Sequence, residues 1–167
     1  MPAKINISVE DVHGGFQGSF RLKGGISTFD RKTGAANGEL IVDAATGDTG
    51  NSSRNRKMYK DVLETQRYPE ITFTAKKVIG DMAPQGSSNI QVQGVFHIHG
   101  VGHDLTLSVP VRVNGDKVTA TTGFVVPYES WGMKNPSLFF LRVDGKADVR
   151  VSTVGRVTLL NDANASR

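Results

Sequence analysis

DTGNSSRNRKMYKDVLETQRYPEITF, residues 48–73, sets one short helix inside a chain that otherwise reads as strands and tight turns. Turn formers at Asp48, Thr49, Gly50 and Asn51 lead into Ser52 and Ser53, whose hydroxyls suit the free amides of a first helical turn. A helix is therefore expected to begin at the serines. Met58, Val62 and Leu63 give it one apolar stripe, while Arg54, Arg56, Lys57, Lys60, Asp61 and Glu64 take the rest of its surface. Pro69 disfavours helical geometry at Tyr68, and Ile71, Thr72, Phe73, Thr74 and Ala75 open a fresh alternating strand.

Outward from this stretch, alternation dominates. Leu40, Val42 and Ala44 share a face opposite Glu39, Ile41 and Asp43, and Val149 and Val151 oppose Asp148, Arg150 and Ser152. Strands are predicted over 16–23, 25–30, 38–45, 70–79, 90–99, 104–113, 117–126, 138–143 and 147–159. Asn37-Gly38, Asn114-Gly115 and Asp144-Gly145 suit the positive φ angles of tight hairpin turns, so successive strands should pair antiparallel. Residues 80–89, with Pro84, Gly86 and two serines, read as a flexible loop; 127–136 reads as a loop whose Tyr128, Trp131 and Met133 pack back; 161–167 reads as a frayed tail. Such a pattern fits an up-and-down barrel or a two-sheet sandwich.

Three segments, taken in order with Gly25-Ile26-Ser27-Thr28-Phe29-Asp30, carry a family resemblance: TGN-xx-R at 49–54, YPEITF at 68–73, and the alternating Gly94-Val95-Phe96-His97-Ile98-His99-Gly100. Together they resemble the YceI-like family of lipocalin-like barrels over most of the chain. The resemblance implies a single all-β domain over residues 1–167, an eight-stranded antiparallel lipocalin-like barrel with a short helical insertion. It also implies binding of a polyisoprenoid or similar long-chain lipid in the barrel cavity, for transport or sequestration, with a link to stress response. Relatives share no one enzymatic reaction, so the resemblance implies no catalytic residue and no cofactor beyond the lipid itself.

Bulk properties agree with one ordinary domain. The chain has 167 residues, 38% hydrophobic and 22% charged, and carries no apolar run long enough to cross a bilayer as a helix. MPAKINISVE lacks the basic start and apolar run of a secretory signal, so the expected location is cytoplasmic, or periplasmic or secreted if a leader has been removed. Zero cysteines exclude disulfides and thiolate chemistry. A net charge of +4 favours contact with anionic lipid surfaces or acidic ligands. Aromatics are not interleaved with Arg and Lys along one strand face, which argues against specific nucleic-acid binding.

An eight-stranded barrel is just wide enough to be filled by side chains or to hold one small ligand. The faces expected inward carry Ala44, Ala75, Ala120, Gly94 and Gly123 beside Phe20, Phe29, Leu40, Val42, Phe73, Phe96, Ile98, Leu105, Leu107 and Phe124. Met58 and Leu63 from the helix and Trp131 from the later loop complete the expected ligand contacts; Trp131 is either a plug over one end or, with Met133, an entrance. For a headgroup the expectation falls on Arg54, Arg56 and Lys57, with Arg67 near, against the plainer reading of a solvated helix face partnered by Asp61 and Glu64.

His97, His99 and His103 form the sharpest enzyme-like signal, since imidazoles two apart on a strand share a face. Phe96 and Ile98 claim the inner face, which puts His97 and His99 outside, and Asp104 is the one nearby acid. No metal is therefore assigned, and a small metal-dependent barrel enzyme using these histidines stands as the rival. Gly14-Gly15-Phe16-Gln17-Gly18 lacks the Lys-Ser/Thr of a phosphate loop, no G-x-S-x-G elbow occurs, and Asp30, Asp43 and Asp48 are spaced as turn or outward residues. The expected partner is a long-chain isoprenoid or fatty lipid, with transient membrane-surface contact and homodimerisation as further expectations. A third reading is a fully packed interaction domain, dimeric through exposed strand surfaces.

Overall fold

The computed structural model describes residues 3–13, 19–29, 35–135 and 146–156, with side chains at Phe20, 35–135, 146–152 and 154. Strands β1 (Ala3–His13), β2 (Ser19–Phe29) and β3 (Ala35–Asp48) are followed by helix α1 (Ser52–Lys57) and a π-helical turn, Met58–Val62. Then come β4 (Glu70–Ile79), β5 (Gly86–Ile98), β6 (Val101–Asn114), β7 (Lys117–Val126) and β8 (Ala147–Arg156). All neighbouring strands pair antiparallel in chain order, and β1 pairs with both β2 and β8, so the ladder returns to its start. The all-β antiparallel character and the one short helical insertion agree with the reading of the sequence.

Punctuation explains where that reading was sharp. β4 and β7 have the predicted bounds because Pro69 and Gly80 flank the first, and the Gly115-Asp116 turn and Pro127 flank the second. At the helix start the cap is Asn51 rather than a serine: its side chain accepts from the Arg54 amide at 3.0 Å, since Asn51 is the residue with extended backbone angles. Met58, Val62 and Leu63 do bury the helix's one apolar stripe. The Leu63 amide donates to the Met58 carbonyl, an i to i+5 bond that widens the last turn. The Tyr59 hydroxyl then pins this segment to the Gly47 carbonyl at the end of β3.

Four expectations need correcting. Asn37-Gly38 makes no turn: both lie within β3, paired to Thr28 and Ser27 of β2, where two-sided ladder bonding outweighs the local turn preference. The separate strands predicted at 16–23 and 25–30 are one strand, β2, with a register shift between Leu22 and Gly24. Residues 86–89 of the predicted loop already belong to β5, matched to Val113 through Pro110 of β6. β1 went unforeseen, although its Ile5, Ile7 and Val9 alternate; one of its two partners, β8, lies at the far end of the chain. The predicted strand 138–143, the Asp144-Gly145 turn, the 14–18 glycines and the tail lie outside the described residues.

Candidate functional site

Side-chain alternation around the ring builds one apolar interior. Leu40, Val42 and Ala44 of β3 face inward; Leu40 is paired to Phe73, Phe73 to Phe96, and Phe96 to His103 across β4, β5 and β6. At the helix-bearing end, Val62, Leu63, Phe96, Ile98, Val126, Tyr128 and Met133 form a buried cluster. At the other end Val78, Ile90, Leu107, Val109, Val111 and Val113 form a second. Phe73, Leu105 and Phe124 pack against both, making a waist between them.

The waist is half-buried. Leu40, Val42, Ile71, Phe73, Leu105 and Phe124 face inward yet are not shut off from solvent as the side chains of a densely packed centre are. Among the described residues no large side chain is fully buried. Gly94 helps shape the waist: a Cβ there would stand 2.4 Å from the Thr74 carbonyl oxygen and 2.6 Å from the Phe73 ring. Only glycine lets the Phe73 ring lie across β5 at this point.

Of the predicted cavity contacts, Leu63, Phe96, Ile98 and Leu107 are buried within the two clusters, and Phe20, Met58, Phe73, Leu105, Phe124 and Trp131 pack against them. The Phe29 side chain lies outside those described. Gly123 is a correction: it is exposed and pairs with Arg150, because the inward positions of β7 are the even ones. Ile71, Val126, Tyr128 and Val149 line the interior without having been singled out as ligand contacts, and strand parity was the signal that could have found them. Met133 is 3% exposed, so it belongs to the floor under the helix and not to an adaptable mouth.

The three histidines are dispersed. His99 and Gly100 have φ of 53° and 75°, the paired positive angles of a tight hairpin, so His99 leaves the face it would share with His97. His97 stays exposed on the outer surface of β5. His99 bonds Glu64 at the end of the helical insertion and packs against Tyr68, ring centroids 4.6 Å apart. His103 points inward and stacks on Trp131 at 3.7 Å and 10°, with Phe96 6.1 Å from the same indole. Among the described residues no three His, Cys, Asp or Glu side chains converge as metal ligands.

The predicted headgroup residues sit on the insertion beyond β3, with Arg54 and Arg56 exposed and Lys57 half-buried. The Arg56 guanidinium reaches the Ser53 hydroxyl at 3.4 Å, and Arg67 pairs with Glu64 at 3.5 Å. Elsewhere on the wall, β6 and β7 pair over four rungs only, from Val111↔Ala120 to Asn114↔Lys117. Pro110 offers no amide to continue that ladder. Beyond it the Thr122 hydroxyl donates to the Ser108 carbonyl at 2.9 Å, and farther along Trp131 covers His103.

Comparison with known proteins places this architecture. The model of the YceI-like domain matches residues 2–158. Protein YceI of Escherichia coli O17:K52:H18 is 29% identical over 101 residues, 59% of this chain and 50% of that protein. The chain thus aligns with about half the length of the curated relatives it matches. Among solved structures, Burkholderia cenocepacia BcnA superposes with a TM-score of 0.71 at 19% identity, covering 91% of this chain and 95% of that one. A polyisoprenoid binding domain from Saccharophagus degradans gives 0.64 at 14% identity, covering 93% and 94%. The YCEI protein of Campylobacter jejuni gives 0.64 at 17%, covering 89% and 86%.

Proposed function

Because the chain belongs to the YceI-like family, we propose that it carries or sequesters a polyisoprenoid or comparable long-chain lipid inside a closed, eight-stranded lipocalin-like barrel. The observation that carries this reading is the half-buried waist of Phe73, Leu105 and Phe124, which joins two apolar clusters into one lengthwise interior. A solved relative by fold is described as a polyisoprenoid binding domain, which supports the same ligand class.

The energetics are adequate. About twenty methylene equivalents moved from water into such an interior contribute roughly 16 kcal/mol at about 0.8 each. Association and ordering take back about 4 to 15 kcal/mol. Affinity then rests on the tail, while charge at the surface governs approach and headgroup choice. Arg54, Arg56 and Lys57 are proposed to supply that attraction toward anionic lipid surfaces or headgroups. Their contribution should fade with salt, since exposed charges are screened within about 10 Å at 0.1 M ionic strength.

Titrating the full chain with farnesol and geranylgeraniol by calorimetry tests the reading. Saturable binding of one lipid per chain, tighter for the longer tail, is expected; absence of binding to both overturns it. Arg54→Ala should weaken geranylgeranyl phosphate more than geranylgeraniol, and equal loss on the two would discard the headgroup role.

A further inference from the structure

Among the described residues, His103 is the inward polar group that the apolar framework does not explain. It lies on the inward face of β6 with Leu105, Leu107 and Val109, opposite Phe96. Its ring is held flat against Trp131. Its Nε2 is buried and has no hydrogen-bond partner, alone in this among the described side chains. A buried polar atom without a partner is unfavourable, and Phe or Leu would fill the same place without that penalty. The stack on Trp131 orients the ring but leaves Nε2 unsatisfied.

We propose that ligand entry uncovers His103 Nε2, which then becomes the hydrogen-bonding partner of a neutral oxygen on the bound lipid, an isoprenoid alcohol or carbonyl carried into the barrel beside Trp131. This deepens the carrier reading and rests on it. Imidazole nitrogen either donates or accepts according to its tautomer, so it serves a carbonyl or a hydroxyl equally. A phosphate is disfavoured at this position: among the described residues no charged side chain is buried to meet it, and an ionised group taken from water without a counter-charge is strongly unfavourable. A phosphorylated lipid would have to keep its headgroup outside. His103 therefore selects a lipid whose polar end is neutral and enters first, or whose chain carries an oxygen at that depth.

The test compares farnesol with farnesene, its dehydration product, which keeps the carbon skeleton and replaces the hydroxyl by one further double bond, on the full wild-type chain and on His103 variants. Binding is read from the emission of Trp131, the chain's single tryptophan, and by calorimetry. His103→Phe keeps an aromatic face for Trp131 and His103→Leu does not, so the two together guard against a folding defect in either. The farnesol-to-farnesene affinity ratio should fall about tenfold in both apolar variants, the equivalent of one buried hydrogen bond, and should be largely retained in His103→Gln. Farnesyl phosphate should bind no differently to wild type and His103→Phe. An unchanged farnesol-to-farnesene ratio in the apolar variants overturns the proposal while leaving the carrier reading intact. A loss of farnesyl phosphate binding equal to that of farnesol overturns the neutral-oxygen assignment. Failure of both farnesol and farnesene to bind wild type removes the carrier reading and this inference with it.

Discussion

The Glu64 carboxylate is hydrogen-bonded to Nε2 of His99, tying the end of the helical insertion to the β5–β6 hairpin, and both residues hold positive φ, 50° and 53°. Left-handed backbone at a residue with a Cβ is unfavourable by roughly 1–2 kcal/mol, so two such residues in contact mark a junction that the surrounding fold over-determines. Tyr68 covers His99, and Arg67 lies both over the Tyr68 ring at 5.2 Å and against Glu64. The junction fixes the helix as a lid on the end of the interior where Val62 and Leu63 are buried.

Acid should loosen that junction. The hydrogen bond from His99 is the main cause holding the Glu64 carboxyl below its ordinary value of 4.5; burial opposes it next in size, and the charges of His99 and Arg67 and the Arg67 hydrogen bond add to the lowering. A carboxyl with a depressed folded value contributes stability above its unfolded value, and that contribution is lost as pH falls through the folded one. Melting temperatures of wild type and Glu64→Gln should therefore differ most above pH 4.5 and converge below it. Curves that stay parallel into strong acid would contradict the assignment.

Gly94 should tolerate no side chain. In Gly94→Ala the new methyl meets the Thr74 carbonyl oxygen, which is backbone and cannot turn away, as well as the Phe73 ring. Overpacking of this kind lowers stability by about 1–3 kcal/mol, readable as a lower urea midpoint with unchanged slope. Gly123→Ala, at an exposed site where the nearest contact is 3.5 Å, is the control and should be near neutral.

Leu105 separates an open interior from a packed one by the sign of a stability change. It is half-buried at the waist between the two clusters. If space lies beside it, Leu105→Trp fills that space, leaves the urea midpoint unchanged or raised, and abolishes geranylgeraniol binding. In a solid core the same substitution would cost about 1–3 kcal/mol and leave no binding to lose.

The sequence made much of this architecture readable, and its failures have physical causes. Period-two alternation placed β4, β7 and the inward faces of β3, β5 and β6, and the Ser-Arg-Lys run with its Met58, Val62 and Leu63 stripe placed the helix. What escaped depends on pairing rather than on local pattern: β1, whose second neighbour β8 lies at the far end of the chain, and Asn37-Gly38, which β2 holds extended and β4 also pairs at Gly38. At the site, His99 looked like a strand residue because His97 and His99 alternate, yet the His-Gly pair forms the turn. Only the rival metal-enzyme reading groups His103 with them, although counting back by twos from Leu107 and Leu105 already puts it inside. Its stacking partner Trp131 lies beyond β7, a contact no local pattern reveals.

Native mass spectrometry of the full chain, purified without detergent from cells that make long-chain isoprenoids and paired with organic extraction, asks whether the barrel leaves the cell loaded. A second species heavier by one lipid is expected, whose extract is a long-chain isoprenoid bearing a neutral oxygen, and which disappears in Leu105→Trp. Recovery of the bare polypeptide mass alone, from wild type and variant alike, would contradict the carrier reading.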